Sequence, residues 1–159
     1  EVINSINSLG KQKSIVVLLD QVTDPHNVGA IMRNAAAFSV DAVITTEHHA
    51  ASESASMAKA ASGAMDIVPF VRVGNLAETM NILKEHGYWC IGMDMLARVD
   101  VKTASMYDKI ALVMGSEGKG MRRLTREHCD LLVKLEISEK MESLNVANAA
   151  AVALYILHQ

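Results

Sequence analysis

Short, continuous apolar runs alternate along this chain with longer stretches of helical composition. The runs at 15–19, 42–44, 67–71, 89–93, 110–114 and 131–135 have the length and aliphatic content of strands buried on both faces. Between and after them, 28–38, 53–61, 76–86 and 121–127 read as helices, and 146–158 closes the chain with a strongly apolar one. The order is largely β-α-β-α, which predicts an α/β domain with a mainly parallel sheet and helices on both faces. Asn75 suits the N-cap of the 76–86 helix, and Gly87 stands just past its end. The segment 96–107 is less regular, and no repeat or low-complexity tract appears.

A length of 159 residues fits one domain. Hydrophobic residues make up 50% and charged residues 21%, which excludes intrinsic disorder, and every apolar run breaks before it could span a bilayer. A soluble globular protein with no membrane partner is expected. The first residue is Glu1 and no secretory leader follows it, so the chain is read as a fragment of something longer. A formal charge of -3 denies the chain a global basic field, and 4% aromatic residues argue against a base-stacking platform. Cys90 and Cys129 lack any metal-like spacing, so reduced, buried thiols in a cytoplasmic protein are favoured over a disulfide. No metal is expected, since His48 and His49 are adjacent and His86, His128 and His158 are scattered. Ser52, Ser54 and Ser56 lie outside any nucleophile elbow, which argues against a serine hydrolase, and the methionines read as core filler.

In an open parallel sheet, ligands sit beyond the carboxyl ends of the strands, so the loops there are where chemistry is sought. The first is Asp20-Gln21-Val22-Thr23-Asp24-Pro25-His26-Asn27-Val28-Gly29-Ala30, in which Asn27 can cap the helix, Gly29 allows a close approach, and Arg33, a turn or so in, can reach an anion. A capped helix with a surface arginine explains the same residues equally well. The second is Gly115-Ser116-Glu117-Gly118-Lys119-Gly120, whose spacing fits neither a P-loop nor the dinucleotide fingerprint. Lys119, Arg122, Arg123 and Arg126 follow as a local basic patch, although a solvated helix face accounts for each arginine singly. The third is Glu142-Ser143-Leu144-Asn145-Val146-Ala147-Asn148, where Ser143 or Asn145 is the N-cap candidate and Asn145 and Asn148 share a face suited to a polar ligand. Ala149-Ala150-Ala151 then permits close packing, in the core or at a subunit interface.

Together, in this order, the three loops resemble the three motifs of the SpoU (TrmH) branch of the SPOUT RNA methyltransferases. Asp24 to Ala30 with Arg33 resembles the first motif, Leu112 to Gly120 the second, and Ser143-Leu144-Asn145-Val146 the third. The run Met121 to Asp130 is most similar to the RlmB subgroup, which methylates a guanosine ribose 2′-hydroxyl in 23S ribosomal RNA. The resemblance implies a C-terminal trefoil knot, a homodimer, and S-adenosyl-L-methionine bound in the knot. By position it assigns Met114, Gly115, Leu135, Ile137, Leu144 and Ala147 to the cofactor, with Arg33 brought near the partner protomer's cofactor. It further implies that 1–13 is the lead-in from an N-terminal RNA-binding domain and 14–159 the catalytic domain. One departure stands out: where members show Ile-Pro-Met-x-Gly-x-Val, this chain has Leu135-Glu136-Ile137-Ser138-Glu139-Lys140-Met141, which predicts an altered cofactor loop.

Methyl transfer from a sulfonium is an in-line displacement, so the protein chiefly positions donor and acceptor. The family's motif-one arginine, here Arg33, is proposed there as the base, yet a guanidinium stays protonated. The expectation is that Arg33 holds the target phosphate and ribose while Asn27, Glu117, Ser143 and Asn145 orient the hydroxyl. The alternatives are a tRNA ribose 2′-O-methyltransferase and a non-catalytic module that binds RNA or cofactor.

Overall fold

The computed structural model describes residues 3–4, 12–48 and 50–159. Most of the 1–13 lead-in, and His49, lie outside the described residues. Among those described, the strands are β1 (Ser14–Asp20), β2 (Ala42–Thr46), β3 (Phe70–Val73), β4 (Trp89–Met93), β5 (Val99–Asp100), β6 (Lys109–Gly115) and β7 (Leu131–Lys134). The helices are α1 (Pro25–Ala37), α2 (Ala55–Ala61), α3 (Leu76–Glu85), α4 (Arg123–His128) and α5 (Val146–His158), with 3-10 turns at Ala64–Asp66 and Val101–Met106. All pairings are parallel and the strand order is β3-β2-β1-β6-β4-β7-β5. Among the described residues, no helix is long and apolar enough to cross a membrane.

The continuous apolar runs are strands because both faces of the sheet are covered. Ile15, Val17 and Leu19 of β1 point into one cluster with Ile31 and Met32 of α1 and Ala150, Leu154 and Leu157 of α5. Val16 and Leu18 point the other way, onto Leu76, Met80 and Leu83 of α3. Each such fully buried Leu, Ile or Val contributes about 1.5–3 kcal/mol, so the register of β1 is fixed from both sides.

Four expected elements start two or three residues away from where the pattern put them. The strand expected at 67–71 begins only at Phe70, because the N–H groups of Ile67 and Val68 both bond to the Ala64 carbonyl in a 3-10 turn and Pro69 has none to give. Ile67 is 72% exposed. The helix expected from 28 begins at Pro25, since the Asp24 carboxylate accepts the His26 N–H at 2.9 Å and proline suits the first helical position. Asn27 is therefore inside the first turn and is not the cap. The helix expected from 53 starts at Ala55, behind a Ser54 cap that accepts from Met57 N at 3.2 Å. The helix expected at 121–127 is Arg123–His128, because Arg122 before it is held in extended backbone with its N–H and Nε bonded to Asp20. The two-residue β5 had no apolar run to announce it.

The topology makes a crevice. Asp20 and Gly115, the last residues of β1 and β6, are paired neighbours. From β1 the chain leaves into α1 on one face, and from β6 it leaves past Met121 towards α3 on the other. Loops parting to opposite faces open a space at the strand ends, the usual ligand position in such sheets.

Candidate functional site

The loop after β6 closes on itself. Ser116 N donates to Gly120 O at 3.2 Å and Gly120 N to Ser116 O at 2.8 Å. Gly115 is required for this, because a Cβ there would stand 2.3 Å from Gly120 C and from Met121 N. Gly118 and Gly120 turn the chain at φ of 87° and 69°, a region that side chains disfavour. The far end of the loop is tied to β1 by Asp20, which is fully buried and accepts from Arg122 N at 2.7 Å and Arg122 Nε at 2.8 Å. Asp20 opens the first loop in the sequence reading but was given no role there, although a carboxylate ending an all-apolar strand was the available signal.

The first and third motifs meet through asparagines. Asn145 Oδ1 accepts from Ala147 N at 2.9 Å and Asn148 N at 3.3 Å, so Asn145, not Ser143, caps α5. Its Nδ2 donates to Asn27 Oδ1 at 3.1 Å, and Asn34 Nδ2 donates to Ala147 O at 3.1 Å. Two links from α1 therefore fix the start of α5, and Asn148 remains exposed. What approaches Gly29 is α2: a Cβ on Gly29 would stand 2.3 Å from Met57 O. Arg33 is exposed and forms no hydrogen bond or ion pair with a described residue. With the helix starting at Pro25, it lies about 12 Å along the axis from that end, too far to share an anion with the first turn.

A cavity of about 340 Å³ lies beside that crevice, over the ends of β4 and β6, with no residue of β1 or α1 in its lining. Met93 to Leu96 after β4 form one side, Met114 to Met121 another, and Glu142 to Leu144 with Val146, Ala149 and Arg126 complete it. Of the expected residues, Met114, Gly115, Glu117, Ser143 and Leu144 come together here. Leu135 and Ala147 are buried in the neighbouring apolar cluster and Ile137 packs against it, and none of the three lines the cavity. The segment Met93 to Leu96 was missed, although the rule applied to the other strand ends applies equally to β4.

The expected basic patch is largely neutralised. Arg122 bonds Asp20, Arg123 lies 2.9 Å from Glu127, and Arg126 Nε lies 3.3 Å from Asp94 Oδ2. The lining carries the carboxylates of Asp94, Glu117 and Glu142 and the cations Lys119 and Arg126, of which Asp94 and Arg126 are paired. With methionine, leucine and valine walls beside them, the lining suits a ligand with a flat apolar part and a cationic part. Two other cavities, of about 400 and 390 Å³, lie against the start of α3 and against Trp89 and Tyr107. Among the described residues no group of His, Cys, Asp and Glu is placed to hold a metal. Cys90 and Cys129 are free thiols outside the cavity, Cys90 buried as expected and Cys129 only partly buried, each pushed up to about 12, chiefly by burial.

A parallel sheet with helices on both faces and a ligand-sized cavity over the ends of β4 and β6 defines an α/β domain of the open-sheet class. Residues 14–155 match the SpoU rRNA Methylase family, and the chain belongs to it. It is 46% identical over 140 residues to the 23S rRNA (guanosine-2′-O-)-methyltransferase RlmB of Neisseria meningitidis serogroup B, covering 88% of this chain and 56% of that protein. To the RlmB of Escherichia coli K12 it is 45% identical over 140 residues, covering 88% and 58%. The chain thus spans less than two thirds of the length of these relatives. Among solved structures it resembles the SpoU methyltransferase AviRb of Streptomyces viridochromogenes in complex with AdoMet, with a TM-score of 0.86, 27% identity, and coverage of 93% of this chain and 58% of that one.

Proposed function

We propose that this chain is the catalytic part of an RNA ribose 2′-O-methyltransferase that uses S-adenosyl-L-methionine, with a guanosine of 23S ribosomal RNA as its target. The observation that carries the reading is the single cavity joining Met114, Gly115, Glu117, Ser143 and Leu144, residues far apart in sequence. The RlmB relatives supply the choice of RNA and position, and the AdoMet complex of AviRb supplies the cofactor. In this reading 14–159 is the catalytic domain and 1–13 leads in from an RNA-binding domain. The C-terminal segment makes a trefoil knot, and the protein is a cytoplasmic homodimer.

When bound, the cofactor supplies an electrophilic methyl group on sulfur. Met114, Gly115 and Leu144 contact it, while Leu135, Ile137 and Ala147 support the walls from the core. Glu117 and Ser143 orient the ribose hydroxyl at the cavity rim. Asn27 and Asn145 hold the start of α5, and with it the Ser143 loop, in register with α1. Arg33, exposed and unengaged, clamps the target phosphate and ribose from the partner protomer, a task for which a planar bidentate donor fits better than an ammonium.

Calorimetric titration of S-adenosyl-L-methionine, with Leu144→Pro as the control, tests the cofactor site. Methyl transfer to 23S ribosomal RNA fragments, read as ribose methylation by mass spectrometry of nuclease digests, tests the activity. Arg33→Lys is expected to lower turnover about 100-fold, the size of a lost charged hydrogen-bond pair in a transition state, with cofactor affinity unchanged. Near-normal turnover would overturn the role of Arg33. Cofactor binding without transfer to any RNA would overturn the catalytic reading, and transfer to tRNA alone would overturn the substrate.

A further inference from the structure

Asp94 is the first residue after β4, and it is held from several directions. Its N–H donates to Val133 O at 2.8 Å, its Oδ1 accepts from Leu96 N at 2.9 Å, and Arg126 Nε lies 3.3 Å from its Oδ2. The side chain is 14% exposed and lines the cavity. A carboxylate offers about four acceptor sites, so these contacts leave two for a ligand. Glu117 and Glu142, the other carboxylates of the lining, are exposed and have no hydrogen bond or ion pair with a described residue. Asp94 is the fixed one.

Its place in the sheet gives it a task. In dinucleotide-binding α/β domains the glycine-rich turn follows one strand, and a carboxylate further along, near the end of the adjoining strand, accepts the ribose hydroxyls. Here the glycine loop follows β6, and Asp94 follows β4, which pairs directly with β6. We propose that Asp94 accepts the two hydroxyls of the adenosyl ribose, with Arg126 as the tether that aims its carboxylate. Two adjacent O–H donors match two vacant acceptor positions on an anion that cannot turn away. The inference rests on the reading of this cavity as an adenosyl-cofactor site and names the part of the ligand that the β4 side selects.

The test is calorimetric, on the whole chain, with S-adenosylhomocysteine and its 2′,3′-dideoxy analogue as probes. The unaltered protein is expected to bind the dideoxy compound about 10- to 100-fold more weakly, as for hydrogen bonds to a charged acceptor. Asp94→Ala is expected to weaken S-adenosylhomocysteine by the same factor and to lose the discrimination between the two probes. Asp94→Asn, which keeps the shape and the acceptor for Leu96 N–H, is expected to fall between. A merely structural role would weaken both probes and preserve their ratio, and that result overturns the inference, as does unchanged affinity in Asp94→Ala. Failure of the unaltered protein to bind either probe overturns the cofactor reading and this inference together. Binding that ignores the diol overturns this inference alone.

Discussion

Removing Arg122 is expected to destabilise the fold more than removing the carboxylate it serves. Asp20 has no exposure, whereas the Arg122 side chain is 45% exposed, and the two are joined at 2.8 Å through Nε and at 2.7 Å through the backbone N–H. In Arg122→Ala the buried anion keeps only the backbone donor. Breaking a buried pair in that sense costs about 3–5 kcal/mol, and water entering at the half-exposed arginine position brings the figure to about 3. In Asp20→Ala the guanidinium left behind already touches solvent and rehydrates, so the loss is that of its hydrogen bonds, about 2 kcal/mol.

The double variant then has no stranded charge and should resemble Asp20→Ala, at about 2 kcal/mol, rather than the roughly 5 expected from independent sites. The difference of about 3 kcal/mol corresponds to about 6–12 °C in Tm for a chain of this size. Urea unfolding of the wild type and the three variants, closed as a double-mutant cycle, measures it. A coupling below about 0.5 kcal/mol would refute the argument, because Asp20 and Arg122 would then be neighbours without interdependence. Titration of S-adenosyl-L-methionine into the same variants adds a functional reading, since this pair anchors the loop that forms one cavity wall.

Gly115→Ala places a Cβ 2.3 Å from backbone atoms that cannot swing aside, so a loss of about 1–3 kcal/mol and loss of saturable cofactor binding are expected by thermal melting and calorimetry; wild-type binding would mean that the loop is not held as described. Cys90 and Cys129, each raised from 9.0 to about 12 by burial, remain protonated at pH 8 and should react with a thiol reagent only on unfolding. Because the folded value lies above the unfolded one, their stabilising contribution is complete below pH 9.0 and is lost as the pH rises towards about 12. Cys90→Ala/Cys129→Ala should flatten that alkaline fall in urea titrations, and an unchanged slope would contradict the burial assigned to the thiols.

The sheet was legible wherever burial on both faces produced an uninterrupted apolar run. The strand expected at 89–93 coincides with β4, and those expected at 15–19 and 110–114 fall short of β1 and β6 by one residue at each end. The closing helix was legible in full, since α5 is apolar nearly all round. Boundaries slipped where local hydrogen bonding outweighed hydrophobicity. At 67–69 the apolar pattern continues while the Ala64 carbonyl captures two N–H groups, and at Asp24 a cap with a following proline starts α1 before any apolar periodicity begins. The strand order was beyond reach, because nothing in a single apolar run states which other run it will pair with.

The site divides along the same line. Its glycine loop could be read locally, because three glycines in six residues after a strand are a backbone requirement written in one place. Its supports could not. Asp20 acts on Arg122 across 102 positions, Asn27 on Asn145 across 118, and Asn34 on Ala147 across 113. In each case one polar group satisfies another that only the folded topology brings near, so neither has a local signature beyond being polar where the chain is otherwise apolar. That residual signal is usable: Asp20 at the end of β1 and Asp94 at the end of β4 are both polar breaks directly after buried runs, and both stand at the cavity or at its anchor. In a parallel sheet the residue that ends a buried strand is thus a sharper guide to the site than the composition of the loop after it, because only that residue is held by the sheet itself.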